Sequence, residues 1–295
     1  MVLGPRQARS WLFTPADRPE RYPRPDSHPD SHPDSHPDSL PNTRPGRPGA
    51  DAVVLDLEDA VAPGRKAFAR DRLTRRGAVG APVWVRINDR TSEHWCDDLE
   101  AVAGLPSLVG VMLPKAEHAE HVSATAALLP AGTPVVALVE TSLGMENAFA
   151  IAQARATFAL AFGVADFRRE TGLGDAPEAW AYPRTRLVIA SRAAGLRGPI
   201  DGPAMHLDDL AAVRAEADAS RAGGFTGKLC IHPAQTAAVN AAYGPAPEQL
   251  AWARRVLDQA AHSEGAAVRV DGEMIDRPRL EYARDLLEFA GVAGA

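Results

Sequence analysis

Seven short apolar runs of the chain each end in polar or charged side chains, and the types gathered there could do metal-assisted chemistry on a small, oxygen-rich molecule. VVLDLEDAV carries Asp56, Glu58 and Asp59; VWVRIN carries Arg86 and Asn88; VMLPKAE carries Lys115 and Glu117; ALVETSLG carries Glu140. AFGVADF carries Asp166, PIDG carries Asp201 and KLCIHP carries His232. Charges at the ends of buried strands are costly to leave unpaired, so these groups should meet each other, a metal or a ligand. Carboxylates outnumber cations in this set, which suggests a divalent cation. Glu140 and Asp166, at two different run ends, are hard oxygen donors. Mg²⁺ takes one or two such carboxylates and keeps its other positions for water or a ligand. His232 and Lys115 are too few and too scattered for zinc. Taken singly, each carboxylate reads as a helix N-terminal charge or an ion-pair partner, and only the joint pattern raises the metal reading. The fork of Arg86 matches a carboxylate or a developing enolate oxygen, and a structural pair with Glu58 or Asp59 can coexist with that role. His232 reads as a hydrogen-bonded core or rim histidine rather than a general base.

The elements that must position these groups are legible in the apolar pattern. Apolar, β-rich runs stand at 11–13, 52–57, 83–87, 109–113, 135–139, 158–162 and 228–231, with a weak one at 199–201, and several are nearly continuous in Val, Leu and Ile, the pattern of parallel strands buried on both faces. Helical spacing fills 119–129, 145–156, 183–194 and 207–222. Eight strands alternating with helices predict a (β/α)8 TIM barrel over residues 1–244, whose chemistry would sit at the C-terminal strand ends. The competing architecture, an open doubly wound sheet, wants a glycine-rich phosphate loop after the first strand, where Thr14-Pro15-Ala16-Asp17 stands instead. Residues 245–295 exceed what barrel closure requires. Leu250, Ala253, Val256, Leu257 and Ala260 keep helical spacing, Val268 to Val270 is strand-like, and a second amphipathic helix starts near Leu280. This segment reads as a lid over the barrel mouth or an arm on a neighbouring subunit.

Composition narrows the partners. The 295 residues are 45% hydrophobic and 24% charged with a net charge of −6, so there is no basic footprint for nucleic acid or an anionic membrane. No apolar stretch is long enough to span a bilayer and Met1 to Arg9 has no secretory apolar core, which predicts a cytoplasmic chain. Cys96 and Cys230 are expected to be buried free thiols. Eight of the 25 prolines fall between Pro23 and Pro48, where a DSHP repeat leaves Leu40 as the single aliphatic side chain. Window 23–49 is therefore expected to be a disordered or loosely extended insertion, and its His28, His32 and His36 lack the fixed geometry of a metal site.

Nine segments in order, RSWLFTPADRPE, DAVVLDLEDAV, VWVRIN, VMLPKAE, ALVETSLG, the Gly163 to Asp166 turn, IDGP, GFTGKLCIHP and GEMIDRP, resemble the HpcH/HpaI aldolase and citrate lyase β-subunit family, in its CoA-ester lyase branch. The resemblance covers nearly the whole chain outside 23–49. It implies a Mg²⁺-dependent, or alternatively Mn²⁺-dependent, carbon–carbon lyase acting on esters such as malyl-CoA, citramalyl-CoA or citryl-CoA, with thioester hydrolysis as a further step. It further implies Glu140 and Asp166 as metal ligands, Arg86 at the carbonyl or enolate oxygen, Phe13 and Arg18 as CoA contacts, and Ala165 beside the substrate. Asp276 corresponds to an aspartate that an arm delivers into a neighbouring subunit's site, which implies a homotrimer or hexamer. Partners would be acyl-CoA and keto acids, with citrate lyase subunits as a further class. The chain departs from the family pattern in having Ala165 where Glu is common and Pro203 where an aliphatic residue is common. The repeat also stands where a helix with basic CoA contacts is expected, leaving Arg21 and Arg24 as candidates. Other readings are a CoA-ester-binding protein with weak or no catalysis, and an aldolase that does not use CoA.

Overall fold

A computed structural model describes residues 7–18, 49–76, 82–261 and 268–289. The DSHP repeat, its histidines, Arg21 and Arg24 lie outside the described residues, as does all of window 23–49 except Gly49. Eight parallel strands close a barrel in chain order: β1 (Ser10–Pro15), β2 (Ala52–Asp56), β3 (Val83–Arg86), β4 (Leu108–Leu113), β5 (Val135–Val139), β6 (Thr157–Phe162), β7 (Ile200–Asp201) and β8 (Gly227–Cys230). Each expected run becomes a strand with its ends moved by at most two residues. Pairing of Ser10 with Lys228 closes the ring and removes the open-sheet alternative.

Alternation along the strands sorts side chains into two layers. Trp11, Val54, Trp84, Met112, Leu138 and Ala161 form the lumen cluster. Their neighbours Leu12, Leu55, Val85, Leu113, Val139 and Phe162 belong to the larger core beneath the helices. Burial on both faces explains why the runs carry no polar alternation. Large rings fill the lumen: Trp84 packs against Trp11 at 5.1 Å and against Phe158 at 5.3 Å between centroids. Room for Trp84 comes from Gly110 on β4, where a Cβ would lie 2.4 Å from the indole.

The helices around the barrel are α1 (Lys66–Arg76), α2 (Trp95–Ala103), α3 (Ala119–Ala127), α4 (Ser142–Glu146), α5 (Ala148–Gln153), α6 (Val164–Thr171), α7 (Ala181–Ala193), α8 (Leu210–Ala222) and α9 (Gln235–Tyr243). The single helix expected over 145–156 is two. Thr141 starts α4 early by accepting the Gly144 N–H at 3.1 Å, and Asn147 breaks the run with its amide on the Glu117 carbonyl at 2.8 Å. The helix expected from Leu207 starts at Leu210, because Asp209 accepts the Ala212 N–H at 2.9 Å. Cys230 is buried as expected, but Cys96 is exposed, since the second position of α2 turns away from the face that buries Trp95, Asp98 and Leu99.

Residues 244–295 form a separate compact unit, the rest of the barrel chain being the other. It contains α10 (Pro247–Ala261), a hairpin of β9 (Val268–Val270) and β10 (Glu273–Ile275), and α11 (Arg277–Phe289). Left-handed Asp271 and Gly272 make the hairpin turn, the conformation a two-residue connection needs. Ala253, Val256, Ile275, Ala283 and Leu287 form its core.

Candidate active site

The lumen alternation, continued to the C-terminal strand ends, replaces apolar side chains by Asp56, Arg86 and Glu140. Asp56 and Arg86 are register partners on β2 and β3, so both point into the barrel side by side. Arg86 donates from Nε to Asp56 Oδ1 at 2.8 Å and from Nη2 to Oδ2 at 2.5 Å, a two-pronged pair. Its Nη1 lies 3.0 Å from Glu58 Oε2, and its guanidinium lies 4.5 Å over the ring of Phe13. The expected partners were Glu58 or Asp59. Register instead makes Asp56 the principal one, with Glu58 second and the exposed Asp59 distant at 3.7 Å. Burial disfavours the charge, yet Asp56, Glu58 and Asp59 together raise the Arg86 pKa above its ordinary value. Asp56 also accepts the N–H groups of Glu58 at 2.9 Å and Ala60 at 3.1 Å, which ties down the loop after β2.

Glu140 follows β5 and is 3% exposed. Its Oε1 accepts the Lys115 N–H at 2.9 Å, and its Oε2 lies where a Cβ on Gly163 would stand, only 2.1 Å away. Lys115 delivers that N–H from a left-handed backbone, φ 47°, a strain of about 1–2 kcal/mol for an L-residue. Burial, then the charge of Glu58, pushes the Glu140 pKa to about 8, against the opposing effect of the Lys115 N–H; Asp166 adds to the rise. Glu58 is pushed to about 7, first by burial, with Arg86 opposing and Asp59 and Asp56 reinforcing. Asp166 stands in the first turn of α6, half-buried, with Arg169 Nη2 at 3.0 Å from its Oδ1. Ala165, beside it, is exposed.

A cation fits this donor set. Burial and the charges of Glu58 and Asp166 make the Glu140 carboxylate costly to ionise, a cost that a bound cation would relieve. Among the described residues no three His, Cys, Asp or Glu side chains come together as a metal cage. Glu140, directly after β5, and Asp166, in the first turn of α6, offer two hard carboxylates, a number that Mg²⁺ would accept.

Other expected polar residues fall elsewhere. Asp201 is fully buried on the outer face of the barrel, held by Lys228 Nζ and Arg184 Nη1, each at 2.8 Å. Asn88 donates to the Leu57 carbonyl and to Asp98, a structural link. His232 is exposed and accepts the Ala234 N–H at 3.2 Å. Arg18 is exposed at the end of β1. Asp276 belongs to the 244–295 unit, where it caps α11 by accepting the Arg279 N–H at 3.1 Å. Sequence reasoning gave no part to Asp89, 3.7 Å from Lys115 Nζ, or to Gly163 as the residue that makes room for Glu140. Position two residues past Ile87 was the available signal for Asp89; nothing local marked the space needed at Gly163.

Comparison with known proteins points to one family. The family model for HpcH/HpaI aldolase/citrate lyase matches residues 42–233. A citrate lyase subunit beta-like protein of Mycobacterium tuberculosis is 38% identical over 292 residues, 96% of each chain. A (3S)-malyl-CoA thioesterase of Cereibacter sphaeroides is 35% identical over 257 residues, 83% of this chain and 88% of the relative. The crystal structure of protein CitE from Mycobacterium tuberculosis in complex with magnesium, acetoacetate and coenzyme A superposes with a TM-score of 0.74 at 35% identity, covering 97% of this chain and 99% of that one. No helix among the described residues is long and apolar enough to cross a membrane. A closed barrel with a carboxylate pair and a buried guanidinium at its mouth, and relatives matching over nearly the whole chain, place this protein in the HpcH/HpaI aldolase/citrate lyase family.

Proposed function

We propose that the barrel mouth is the active site of a Mg²⁺-dependent carbon–carbon lyase that cleaves, or in reverse forms, a 3-hydroxyacyl-CoA ester of the malyl-CoA, citramalyl-CoA or citryl-CoA type. The observation that carries this reading is the barrel mouth, where Glu140 just past β5 and Asp166 in the first turn of α6 accompany a guanidinium fixed by Asp56. The relatives support it through magnesium and coenzyme A in one structure and malyl-CoA in another name.

Glu140 and Asp166 would hold the cation, Mg²⁺ or alternatively Mn²⁺. When bound, it supplies Lewis acidity to the substrate hydroxyl and the neighbouring carboxylate, lowering the hydroxyl pKa and polarising the keto group that forms. Three of the five Arg86 N–H groups face Asp56 and Glu58, which leaves two to receive the thioester oxygen as enolate charge develops. Asp56 and the Phe13 ring keep that fork from turning, so the donors need no reorganisation during the reaction. Phe13 and Arg18 contact CoA, and the short Ala165 leaves room for the keto-acid half beside Asp166. Asp276, on the arm 245–295 of a neighbouring subunit in a homotrimer or hexamer, carries the proton to or from the enolate carbon. The same carboxylate can activate water for thioester hydrolysis, a second step favoured by the thioesterase relatives.

The test is turnover of the full-length chain against a panel of 3-hydroxyacyl-CoA esters with Mg²⁺, with products identified by mass spectrometry. Release of a 2-keto acid and a shorter acyl-CoA, or free CoA where hydrolysis follows, supports the reading. Binding of the esters without cleavage would make the chain a CoA-ester-binding protein instead.

A further inference from the structure

Lys115 and Asp271 are the two non-glycine residues with left-handed backbone among those described, and Asp271 is explained by its hairpin turn. Lys115 is not in a hairpin. Leu113 is still in register with Ala137, but the Leu138 carbonyl accepts the Ala116 N–H at 3.1 Å where unbroken register would bring that of Lys115, so the stretch Pro114-Lys115 carries one extra residue between two rungs. Proline has no N–H, and the left-handed turn aims the N–H of Lys115 at Glu140. The same turn sends the side chain from β4 towards the loops after β2 and β3. Its Nζ lies 3.5 Å from Glu58 Oε1 and 3.7 Å from Asp89 Oδ2.

These are loose contacts for an ammonium with three donors, and the Lys115 side chain is 36% exposed, whereas that of Arg86 is 11% exposed and tightly paired. Burial opposes the Lys115 charge, but Glu58, Asp89, Glu140 and Asp166 all act to hold it, so it faces the carboxylates of both the Arg86 side and the metal side. A cation with spare donors, next to two metal-binding carboxylates, suits an acid group that also approaches the metal. Resting on the lyase reading above, we propose that Lys115 determines specificity for the acid half of the substrate. Its ammonium receives the carboxylate of the 2-keto acid, while its left-handed N–H positions Glu140.

The experiment compares full-length wild type with K115M, K115G and K115R, titrating Mn²⁺ by electron paramagnetic resonance and pyruvate, with Mg²⁺ present, by calorimetry. Methionine removes the charge, and glycine removes the whole side chain while accepting the left-handed turn and keeping the N–H. K115M and K115G should bind Mn²⁺ within about threefold of wild type but lose about tenfold or more in pyruvate affinity, as expected for one charge-assisted hydrogen bond. K115R should recover most of the loss. Wild-type pyruvate affinity in K115M overturns the carboxylate assignment while leaving the lyase reading intact. Equal losses of Mn²⁺ and pyruvate in K115G overturn it too, because the side chain would then act only through the metal. A wild-type chain that binds Mn²⁺ but neither binds pyruvate nor cleaves any ester overturns the lyase reading, and the role of Lys115 with it.

Discussion

Gly163 and Glu140 occupy adjoining space so closely that a Cβ on the glycine would lie 2.1 Å from the carboxylate Oε2 and 2.5 Å from the Glu140 Cβ. Its backbone is not left-handed, so space alone demands glycine here. Gly163→Ala must therefore displace Glu140 from the Lys115 N–H. The expected result is a loss of about tenfold or more in Mg²⁺ affinity by calorimetry, with an overpacking cost of about 1–3 kcal/mol in urea unfolding. Unchanged Mg²⁺ affinity would remove Glu140 from the ligand set.

Asp56→Asn tests whether Arg86 depends on its register partner. The variant leaves a buried guanidinium with Glu58 as its remaining close carboxylate, a change that costs about 3–5 kcal/mol when a buried pair is broken. A loosened fork should lower kcat more than it raises KM, since the enolate charge exists only near the transition state. A pure KM effect would assign Arg86 to ground-state binding.

Asp201 offers a pH test remote from the chemistry. Burial raises its pKa, but the charges and hydrogen bonds of Lys228 and Arg184 outweigh this and hold it below the ordinary carboxylate value. The folded chain thus binds this proton less readily than the unfolded chain. The resulting stability is fully present above the unfolded pKa of about 3.9 and is lost as pH falls through the lower folded value. Asp201→Asn should destabilise by about 3–5 kcal/mol at pH 7, because Lys228 remains buried. In urea unfolding the gap between wild type and variant should narrow below about pH 4. A gap constant down to pH 2.5 would contradict the ionic origin of the effect.

The barrel was legible because strands buried on both faces must be apolar throughout, as in Val135 to Val139. The end-of-strand position alone pointed to Glu140, Asp166 and Arg86, but not to how they are arranged. Asp56 as the partner of Arg86 follows from which residues lie opposite each other on β2 and β3, and a single strand's sequence does not carry inter-strand register. Asp201 looked equivalent to the others until alternation placed it on the outer face. Exposure of Cys96 depends on the phase of a helix just beginning, and the left-handed turn at Lys115 lacks the glycine that normally signals one. Asp276 was read from a motif, and its capping of α11 is the local reason that an aspartate precedes Arg277 and Pro278.

Metal-dependent cleavage at Glu140 is tested most directly by following malyl-CoA and citramalyl-CoA with wild type and Glu140→Gln, each with Mg²⁺, with EDTA, and after Mg²⁺ is restored, with products resolved by mass spectrometry. Wild type should release keto acid, stop with EDTA and recover with Mg²⁺, and Glu140→Gln should be slower by about a hundredfold or more. Ester cleavage that persists in EDTA, or at the wild-type rate in Glu140→Gln, would contradict a metal-dependent reaction at Glu140.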